Sequence, residues 1–292
     1  VVPKGISDGP VWKWMAMKDG VLYALVGASE ISVDTVPSAR RGMGHWPWGM
    51  WQGHDYANAQ TNFGFGRTFL AIDIETKKVL WKYQDSEYLD SRGVCMGNDR
   101  IYFFGPEKCL GCLSQKDGKL QWKNSDDELL QAIGPNERAQ HYVTGYATTT
   151  YIKCSEKAIF FAGPQRARFV AASTEDGRLL WTKPHGNLQV VLREDGVYCA
   201  GPHVTGAKYS YEGEQLSTLP TRRACTRATG SVDSIFYRTT GGTVRVDVAA
   251  NTAHHIAPMR PPCQDGVLIS DGHLFWGPWM CGCQLSLYGN IG

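Results

Sequence analysis

Short stretches in which apolar and polar residues alternate, separated by polar turns, run through most of the chain. Three of them end alike, with a Trp eight residues after an Asp or Ser, at 73–81, 114–122 and 173–181. Gly118 and Gly177 occupy the tight position of the turn in two of these copies. Alternation with a period of two predicts strands, and a short glycine turn between two strands predicts a hairpin.

A second hairpin precedes these units, in which an Asp, Asn or Ser turn leads into an apolar strand. Its copies lie at 19–27, 98–105, 155–163, 194–201, 233–237 and 270–277. Where no insertion intervenes, the copies are roughly 38 to 40 residues apart, the length of a four-stranded propeller blade. Because one blade cannot bury both of its faces, the blades must stack on each other. The pattern therefore predicts an all-β chain, a β-propeller with about six blades of four antiparallel strands.

The hairpin with its Gly-x-Leu-x-Trp ending resembles the repeat of pyrroloquinoline-quinone-type, or quinoprotein-like, β-propellers. The resemblance covers blades one to three well, whereas blades four and five end near Leu216 and His254 without the Trp. That family includes quinoprotein alcohol dehydrogenases and the propeller lipoprotein of the outer-membrane assembly machinery. Two other segments, 222–227 and 276–283, resemble parts of large planctomycete multidomain propeller proteins.

Regular repeats throughout the 292 residues predict one propeller domain over 1–292 rather than two domains. The sixth repeat stops after 284–288, without its last strand, which favours a slice of a longer protein and a ring of seven or eight blades. Two insertions interrupt the rhythm, at about 28–66 and 125–146. The second contains a stretch compatible with a short helix, around Leu129 to Ile133.

Composition narrows the setting in which the chain works. The net charge of +2 gives no electrostatic reason to expect nucleic acid as a partner. No apolar run approaches the roughly 20 residues of a membrane-spanning helix, so no transmembrane segment is expected. Nine cysteines indicate an oxidising compartment, and we expect a periplasmic or extracellular protein with disulfides.

The candidate disulfides fall into two groups. The first group would bridge blade two, and the second would join the last two blades. The candidates are Cys95, Cys109 and Cys112 in the first group and Cys225, Cys263, Cys281 and Cys283 in the second. Cys109 and Cys112 form a Cys-x-x-Cys, but the His that c-type haem attachment requires does not follow. Disulfides are therefore favoured over a metal site.

The first insertion is the segment that the repeat does not explain, and loops on a rigid scaffold commonly carry function. Its tryptophans can stack on a flat ligand, and its imidazole and thioether groups suit a soft metal such as copper. The candidates are His45, Trp46, Trp48, Trp51 and His54 for a ligand and His45, Met50 and His54 for a metal. The simpler alternative is a Trp-rich flap that covers the end of the ring.

Arg222 and Arg223 are a second candidate ligand site, because paired guanidinium groups hold anions well. A run of arginines also occurs as a solvated edge or as part of salt bridges between blades. Both interpretations of this pair remain open at this point.

Two functions of different classes follow. The first is a non-catalytic binding or scaffold module, secreted or periplasmic, that contacts a protein, a ligand or other domains of the same polypeptide. The second is implied by the resemblance: a redox propeller that binds pyrroloquinoline quinone, with calcium or copper, and works with a cytochrome. Quinoprotein dehydrogenases of that family use a disulfide between adjacent cysteines, and this chain has no Cys-Cys dipeptide. The sequence therefore favours the binding module and argues against an enzyme.

Overall fold

The computed structural model describes residues 11–27, 34–35, 51–52, 64–134, 150–163, 167–186, 189–201, 204–223, 227–259, 261 and 266–277. Within these residues, five four-stranded antiparallel sheets and two two-stranded sheets make up most of the chain. The predicted fold class, an all-β chain of four-stranded propeller blades, is confirmed. The chain divides into two compact units, Val1–Ala39 with Gly44–Lys183 and Arg40–Met43 with Pro184–Gly292. A single domain over 1–292 stays a prediction.

The first unit contains three blades, in each of which strands that follow one another pair side by side. Its strands are β1 (Val11–Lys18), β2 (Val21–Gly27), β3 (Asp34–Thr35), β4 (Trp51–Gln52), β5 (Phe65–Asp73), β6 (Val79–Asp90), β7 (Val94–Gly97), β8 (Arg100–Gly105), β9 (Cys109–Ser114), β10 (Leu120–Asn124), β11 (Tyr151–Cys154), β12 (Ala158–Ala162), β13 (Arg168–Ser173) and β14 (Leu179–Pro184). Blade one has the order β1-β2-β5-β6, blade two consists of β7 to β10, and blade three of β11 to β14.

The two predicted insertions leave the blades at defined points. The first falls between β2 and β5, where the short strands β3 and β4 pair with each other. The second follows β10 and begins with helix α1 (Asp127–Ile133), which confirms the predicted helical stretch. Leu129, Ala132 and Ile133 of this helix are buried against blades two and three. Among the described residues, no helix has the length and apolar character needed to cross a membrane.

Two-residue turns connect the first two strands of several blades. Asp19 and Gly20 have φ values of 50° and 74°, and Asn98 and Asp99 have 55° and 56°. Two successive residues with positive φ are typical of the type I′ turn, whose twist matches that of the flanking strands. Asp, Asn and Gly tolerate this conformation best, which is why the sequence marks these hairpins so clearly.

The second unit contains two complete blades and one further hairpin. Its strands are β15 (Gln189–Arg193), β16 (Gly196–Ala200), β17 (Gly206–Tyr209), β18 (Gln215–Leu219), β19 (Thr229–Gly230), β20 (Ser234–Thr239), β21 (Gly242–Asp247), β22 (Thr252–Ala257), β23 (Val267–Ser270) and β24 (His273–Trp276). Blade four consists of β15 to β18 and blade five of β19 to β22, while β23 pairs with β24. The sixth repeat is thus described as far as its first hairpin.

Apolar cores lie between neighbouring blades, and a smaller one lies within blade one. The core between blades one and two contains Leu25 and Phe69 from one side and Ile101 and Phe103 from the other. A second core joins blades two and three with helix α1, and a third joins blades four and five. Burial of apolar area against the next blade is therefore what holds consecutive repeats together.

The repeated Trp of one blade reaches the polar turn of the next. The Trp81 indole N–H donates to the carbonyl oxygen of Gln115 at 3.0 Å, and that of Trp122 donates to Thr174 at 3.1 Å. Each ring covers a turn glycine: a Cβ on Gly118 would lie 2.4 Å from Trp81, and one on Gly177 would lie 2.5 Å from Trp122. The glycines are therefore needed for this contact as well as for the turn.

All three repeated tryptophans also contact an equivalent aromatic residue within their own blade. Trp81 lies 6.0 Å from Tyr23, Trp122 lies 6.2 Å from Tyr102 and Trp181 lies 5.9 Å from Phe160, measured between ring centroids. These partners sit at the same position of the second strand in blades one to three. The repeat assignment made from the sequence is confirmed for these positions.

In the second unit an arginine takes over part of this role. The guanidinium of Arg193, at the end of β15, donates to the carbonyl oxygens of Ser231 and Val232 in blade five. Blade four lacks the repeated Trp, as its sequence shows. Charged hydrogen bonds to backbone carbonyls therefore connect blades four and five where the indole is absent.

Replacing Gly177 with alanine should destabilise the protein by about 1–3 kcal/mol more than replacing Gly20 with alanine. Both glycines have nearly the same φ, 75° and 74°, so both variants carry a similar backbone strain. A Cβ at Gly20 meets no atom within 4 Å, whereas at Gly177 it overlaps the Trp122 ring. Urea unfolding of the two variants measures the difference, and equal losses would contradict the close indole contact.

Candidate functional site

The Trp-rich part of the first insertion can be compared with the structure only in part. Of its candidate residues, Trp51 lies in strand β4, where its backbone pairs with Thr35. The candidates outside the described residues are His45, Trp46, Trp48, Met50 and His54. A ligand or metal site in this insertion stays a prediction.

Arg222 and Arg223 line a pocket of about 560 Å³ in the second unit. The pocket lies at the end of blade five where β20 turns into β21, and the chain between β18 and β19 forms one of its walls. Its lining residues are Pro220, Thr221, Arg222, Arg223, Thr239, Thr240, Val244, Ala253 and His255. The volume falls within the range of small-ligand sites.

Backbone hydrogen bonds fix the arginine pair between blades four and five. The N–H of Arg222 donates to the Gly201 carbonyl at 3.0 Å, and that of Arg223 donates to the Arg238 carbonyl at 2.7 Å. The Arg222 side chain is buried, and its Nε donates to the Ala200 carbonyl at 2.9 Å. Arg223 is exposed. The pair is therefore one anchored and one solvent-facing cation, rather than the wholly solvated edge that the sequence left open.

The remaining polar groups of the pocket suit an anion. His255 lies over the β20–β21 turn, where a Cβ on Gly241 would come within 2.8 Å of its Cε1 atom. The hydroxyl of Thr239 is buried and has no hydrogen-bond partner among the described residues. Buried polar groups nearly always have a partner, so this hydroxyl is an exception among the described residues.

The sign of the charge in the pocket follows from its lining. Arg222, Arg223 and His255 supply basic nitrogens, while no Asp or Glu is among the described lining residues. Guanidinium groups bind carboxylate and phosphate through paired, charge-assisted hydrogen bonds. The pocket can therefore hold an anionic group, with the exposed Thr240 beside it.

The sequence pointed to the arginine pair but missed the other half of the pocket. Thr239, Thr240 and His255 lie in a different hairpin from the arginines, and nothing in their spacing relates the two segments. A hairpin turn Thr-Thr-Gly-Gly at 239–242 could be recognised as a loop tip. The pairing of β20 with β21 forms that tip, and the hydrogen bond from the Arg223 N–H to the Arg238 carbonyl brings it to the arginines.

The predicted bridge within blade two is not formed, because Cys95, Cys109 and Cys112 all carry free thiols. Cys109 and Cys112 are three residues apart on β9 and face the cores on opposite sides of the sheet. Cys95 and Cys112 both pair with Tyr102, one from each side. They are thus two strand spacings apart, about 9–10 Å, beyond the reach of a disulfide.

Burial explains the chemistry of these thiols in blade two. It raises the pKa of Cys109 to about 11 and that of Cys112 to about 12, so both remain protonated near neutral pH. The second group of candidates, Cys225, Cys263, Cys281 and Cys283, lies outside the described residues. Within the described part of the chain, no group of three or more His, Cys, Asp or Glu side chains is arranged to hold a metal ion.

Comparisons with known proteins concern the repeat. Residues 60–189 match the PQQ_2 family model, described as outer membrane protein assembly factor BamB. BamB from Moraxella catarrhalis is similar at 13% identity and a TM-score of 0.43, over 65% of this chain and 60% of that chain. This chain thus spans 60% of the length of that BamB structure.

A second solved structure is similar over more of the chain. The computationally designed Ika8 protein has 9% identity and a TM-score of 0.57, over 90% of this chain and 79% of that chain. At this level of identity the likeness concerns the fold alone. No curated protein sequence matches this chain.

Proposed function

We propose that this chain, whose residues 60–189 match the PQQ_2 family model, is a non-catalytic binding module that holds an acidic segment of a protein partner. The observation that carries the proposal is the pocket at Arg222 and Arg223, with its basic lining. The partner is a separate protein or another domain of the same polypeptide, since both present carboxylates in the same way.

The arrangement of the arginines supports recognition of a carboxylate. Arg222 is buried and held by the Ala200 carbonyl, so its position is fixed before a ligand arrives. Arg223 is exposed and can close on the ligand from the solvent side. A charged side chain that is already fixed in place loses little conformational freedom on binding, so the binding free energy is more favourable.

The size of the pocket favours one or two side chains over a large folded surface. A volume of about 560 Å³ accommodates a Glu or Asp side chain with its neighbours. The Val244 and Ala253 side chains add an apolar wall that can cover the methylene groups of the ligand. An extended acidic segment of a partner meets both requirements.

The proposed location is the periplasm or the extracellular space. The matched family is described by its part in outer-membrane protein assembly, which supports a setting outside the cytosol. Redox function with pyrroloquinoline quinone is the alternative class, and it makes a different prediction for the purified protein. A bound quinone absorbs near-ultraviolet and visible light, whereas a binding module has only the absorption of its own residues.

The test is binding of a fluorescein-labelled hexaglutamate peptide, followed by fluorescence anisotropy. Arg223→Gln should weaken binding about tenfold, since a charged hydrogen bond contributes about 1.5–3 kcal/mol. Thr240→Val keeps the side-chain shape, removes a hydroxyl that lines the pocket and should weaken binding about fivefold. Arg178→Gln is the matched control, because Arg178 is exposed and pairs with Asp176 in the first unit.

Several results would contradict this function. Equal affinity of the wild type and Arg223→Gln would show that the peptide binds elsewhere. Labelled hexalysine that binds as tightly as hexaglutamate would exclude recognition of negative charge. A chromophore that stays with the protein through purification would favour the redox alternative instead.

A further inference from the structure

Two thiols lie side by side where blade two meets blade three. Cys95 is in β7 and Cys154 is in β11, the first strands of consecutive blades. Both pack against the core that joins these blades, and they lie close enough for each thiol to shift the pKa of the other. Cys154 was not among the cysteines that the sequence singled out for pairing.

A glycine makes room for this arrangement. Gly97 follows Cys95 by two residues, so both positions face the same side of β7. A Cβ on Gly97 would lie 2.9 Å from the Cys154 sulfur. The Cys154 side chain therefore extends across β7 into the space beside Cys95 that the missing side chain leaves.

These two residues are also the least buried of the described cysteines. Among the five described cysteines, Cys95 and Cys154 are partly exposed, whereas Cys109, Cys112 and Cys199 are buried. The neighbouring Cys95 thiol lowers the pKa of Cys154, while burial raises the pKa of Cys95. Cys154 thus carries the better nucleophile of the pair, because the thiolate is the reactive form.

We propose that Cys95 and Cys154 form a disulfide that links blades two and three when a small-molecule disulfide, such as oxidised glutathione, is present. The Cys154 thiolate attacks one sulfur of the oxidant, its S–S bond breaks, and one thiolate leaves and takes up a proton. Cys95 then loses its proton and attacks the Cys154 sulfur of the mixed disulfide, and the second thiol leaves. The two protein thiols are oxidised by two electrons, and one oxidant disulfide is reduced to two thiols.

This inference is independent of the proposed binding function. It concerns the first unit, whereas the arginine pocket belongs to the second. A bridge at this position closes a long loop between neighbouring blades, and cross-links of long loops restrict the unfolded chain most. The expected consequence is a higher resistance to unfolding in an oxidising compartment.

The experiment uses the full chain with an excess of oxidised glutathione at pH 8, followed by alkylation of free thiols with N-ethylmaleimide. Trypsin then releases Cys95 in peptide 93–100, Cys154 in peptide 154–157 and both Cys109 and Cys112 in peptide 109–116. Mass spectrometry without reduction should show peptide 93–100 joined to 154–157. Reduction should release both peptides and increase the number of reactive thiols by two.

Serine variants assign the link. Cys95→Ser and Cys154→Ser should each abolish the joined peptide, and Cys199→Ser should leave it unchanged. Oxidation should raise the urea midpoint of the wild type but not that of Cys95→Ser. If a serine variant fails to fold, the peptide map of the wild type still shows whether Cys95 and Cys154 are linked. A link from 154–157 to 109–116, or no link after prolonged oxidation, would overturn the proposal.

Discussion

Truncation of Trp122 to alanine will lower the free energy of unfolding by about 3 kcal/mol, toward the lower end of the range for aromatic truncations. The side chain is half-buried, packs on Tyr102 of its own blade and covers Gly177 of the next blade. Its indole N–H also donates to the Thr174 carbonyl. The variant therefore loses contacts on both sides of the joint between blades two and three.

Urea unfolding monitored by circular dichroism measures this loss. Trp122→Phe is the intermediate variant, because it keeps an aromatic ring but lacks the N–H donor. Its free energy of unfolding should fall by about 1 kcal/mol for the lost hydrogen bond, and further because the phenyl ring buries less area. Leu120→Ala, on the same strand and 44% exposed, is the control and should stay within about 0.5 kcal/mol of the wild type. If Trp122→Ala behaves like Leu120→Ala, the indole does not hold the blades together.

Replacing Asp85 with alanine will cost about 3–5 kcal/mol, because it leaves the cation of a buried ion pair without its partner. The Asp85 carboxylate is fully buried and lies 2.7 Å from the Lys123 ammonium of blade two. It also accepts hydrogen bonds from the Tyr83 hydroxyl and the Glu87 backbone N–H, both at 2.8 Å. Alanine removes the acceptor of all three donors at once.

A double variant separates the ion pair from the rest of this network. Asp85→Ala combined with Lys123→Met should be more stable than Asp85→Ala alone, since no unpaired charge remains. Asp117→Ala is the control, because Asp117 pairs with Lys119 in an exposed turn where screening makes ion pairs weak. If the double variant is no more stable than the single one, the loss comes from the other hydrogen bonds.

The pH dependence of stability gives an independent check on Asp85. Burial would raise the pKa of this carboxyl, but hydrogen bonds from Lys123, the Glu87 N–H and Tyr83 outweigh it and lower the pKa. A lowered folded-state pKa means that the stabilisation is complete above the unfolded value of about 3.9 and is lost as the pH falls through the folded value. The gap between wild type and Asp85→Ala should therefore be constant near neutral pH and shrink in acid.

The blades and their hairpins could be predicted because local chemistry specifies them. Asp19 with Gly20 and Asn98 with Asp99 adopt the positive φ values that a two-residue turn requires, and few residues tolerate them. The Trp at 81, 122 and 181 marks the last strand of blades one to three by its fixed distance from the turn. These signals lie within a few residues of each other, which is the range that a sequence pattern covers.

Contacts between different hairpins could not be predicted from such short sequence patterns. The sequence grouped Cys95 with Cys109 and Cys112 because they are close along the chain, yet the strand between Cys95 and Cys112 keeps them apart. Cys154 is far away in the sequence but lies beside Cys95, because the first strands of consecutive blades pack together. The register of one repeat against the next, rather than spacing along the chain, determines such pairs.

The arginine pair is a second case in which a local sequence pattern could not predict contacts between segments. Two adjacent arginines predicted an anion site, but the sequence could not show that one would be buried and the other exposed. That difference depends on the Gly201 and Arg238 carbonyls, which belong to two blades and fix the backbone of the pair. Thr240 completes the pocket from a turn that no local pattern connects with the arginines.

The contact between an indole and the turn of the following blade has a consequence for how such a chain can grow. The stretch from Gly118 to Trp122 contains both halves of the joint: the glycine receives the preceding indole, and the Trp is received by the next glycine. A duplicated gene segment that encodes one whole repeat therefore inserts with both of its neighbours already fitted to it. Gain or loss of complete repeats keeps the contact between each Trp and the next turn glycine. Substitution of one such glycine, in contrast, requires a compensating substitution of the Trp in the preceding repeat.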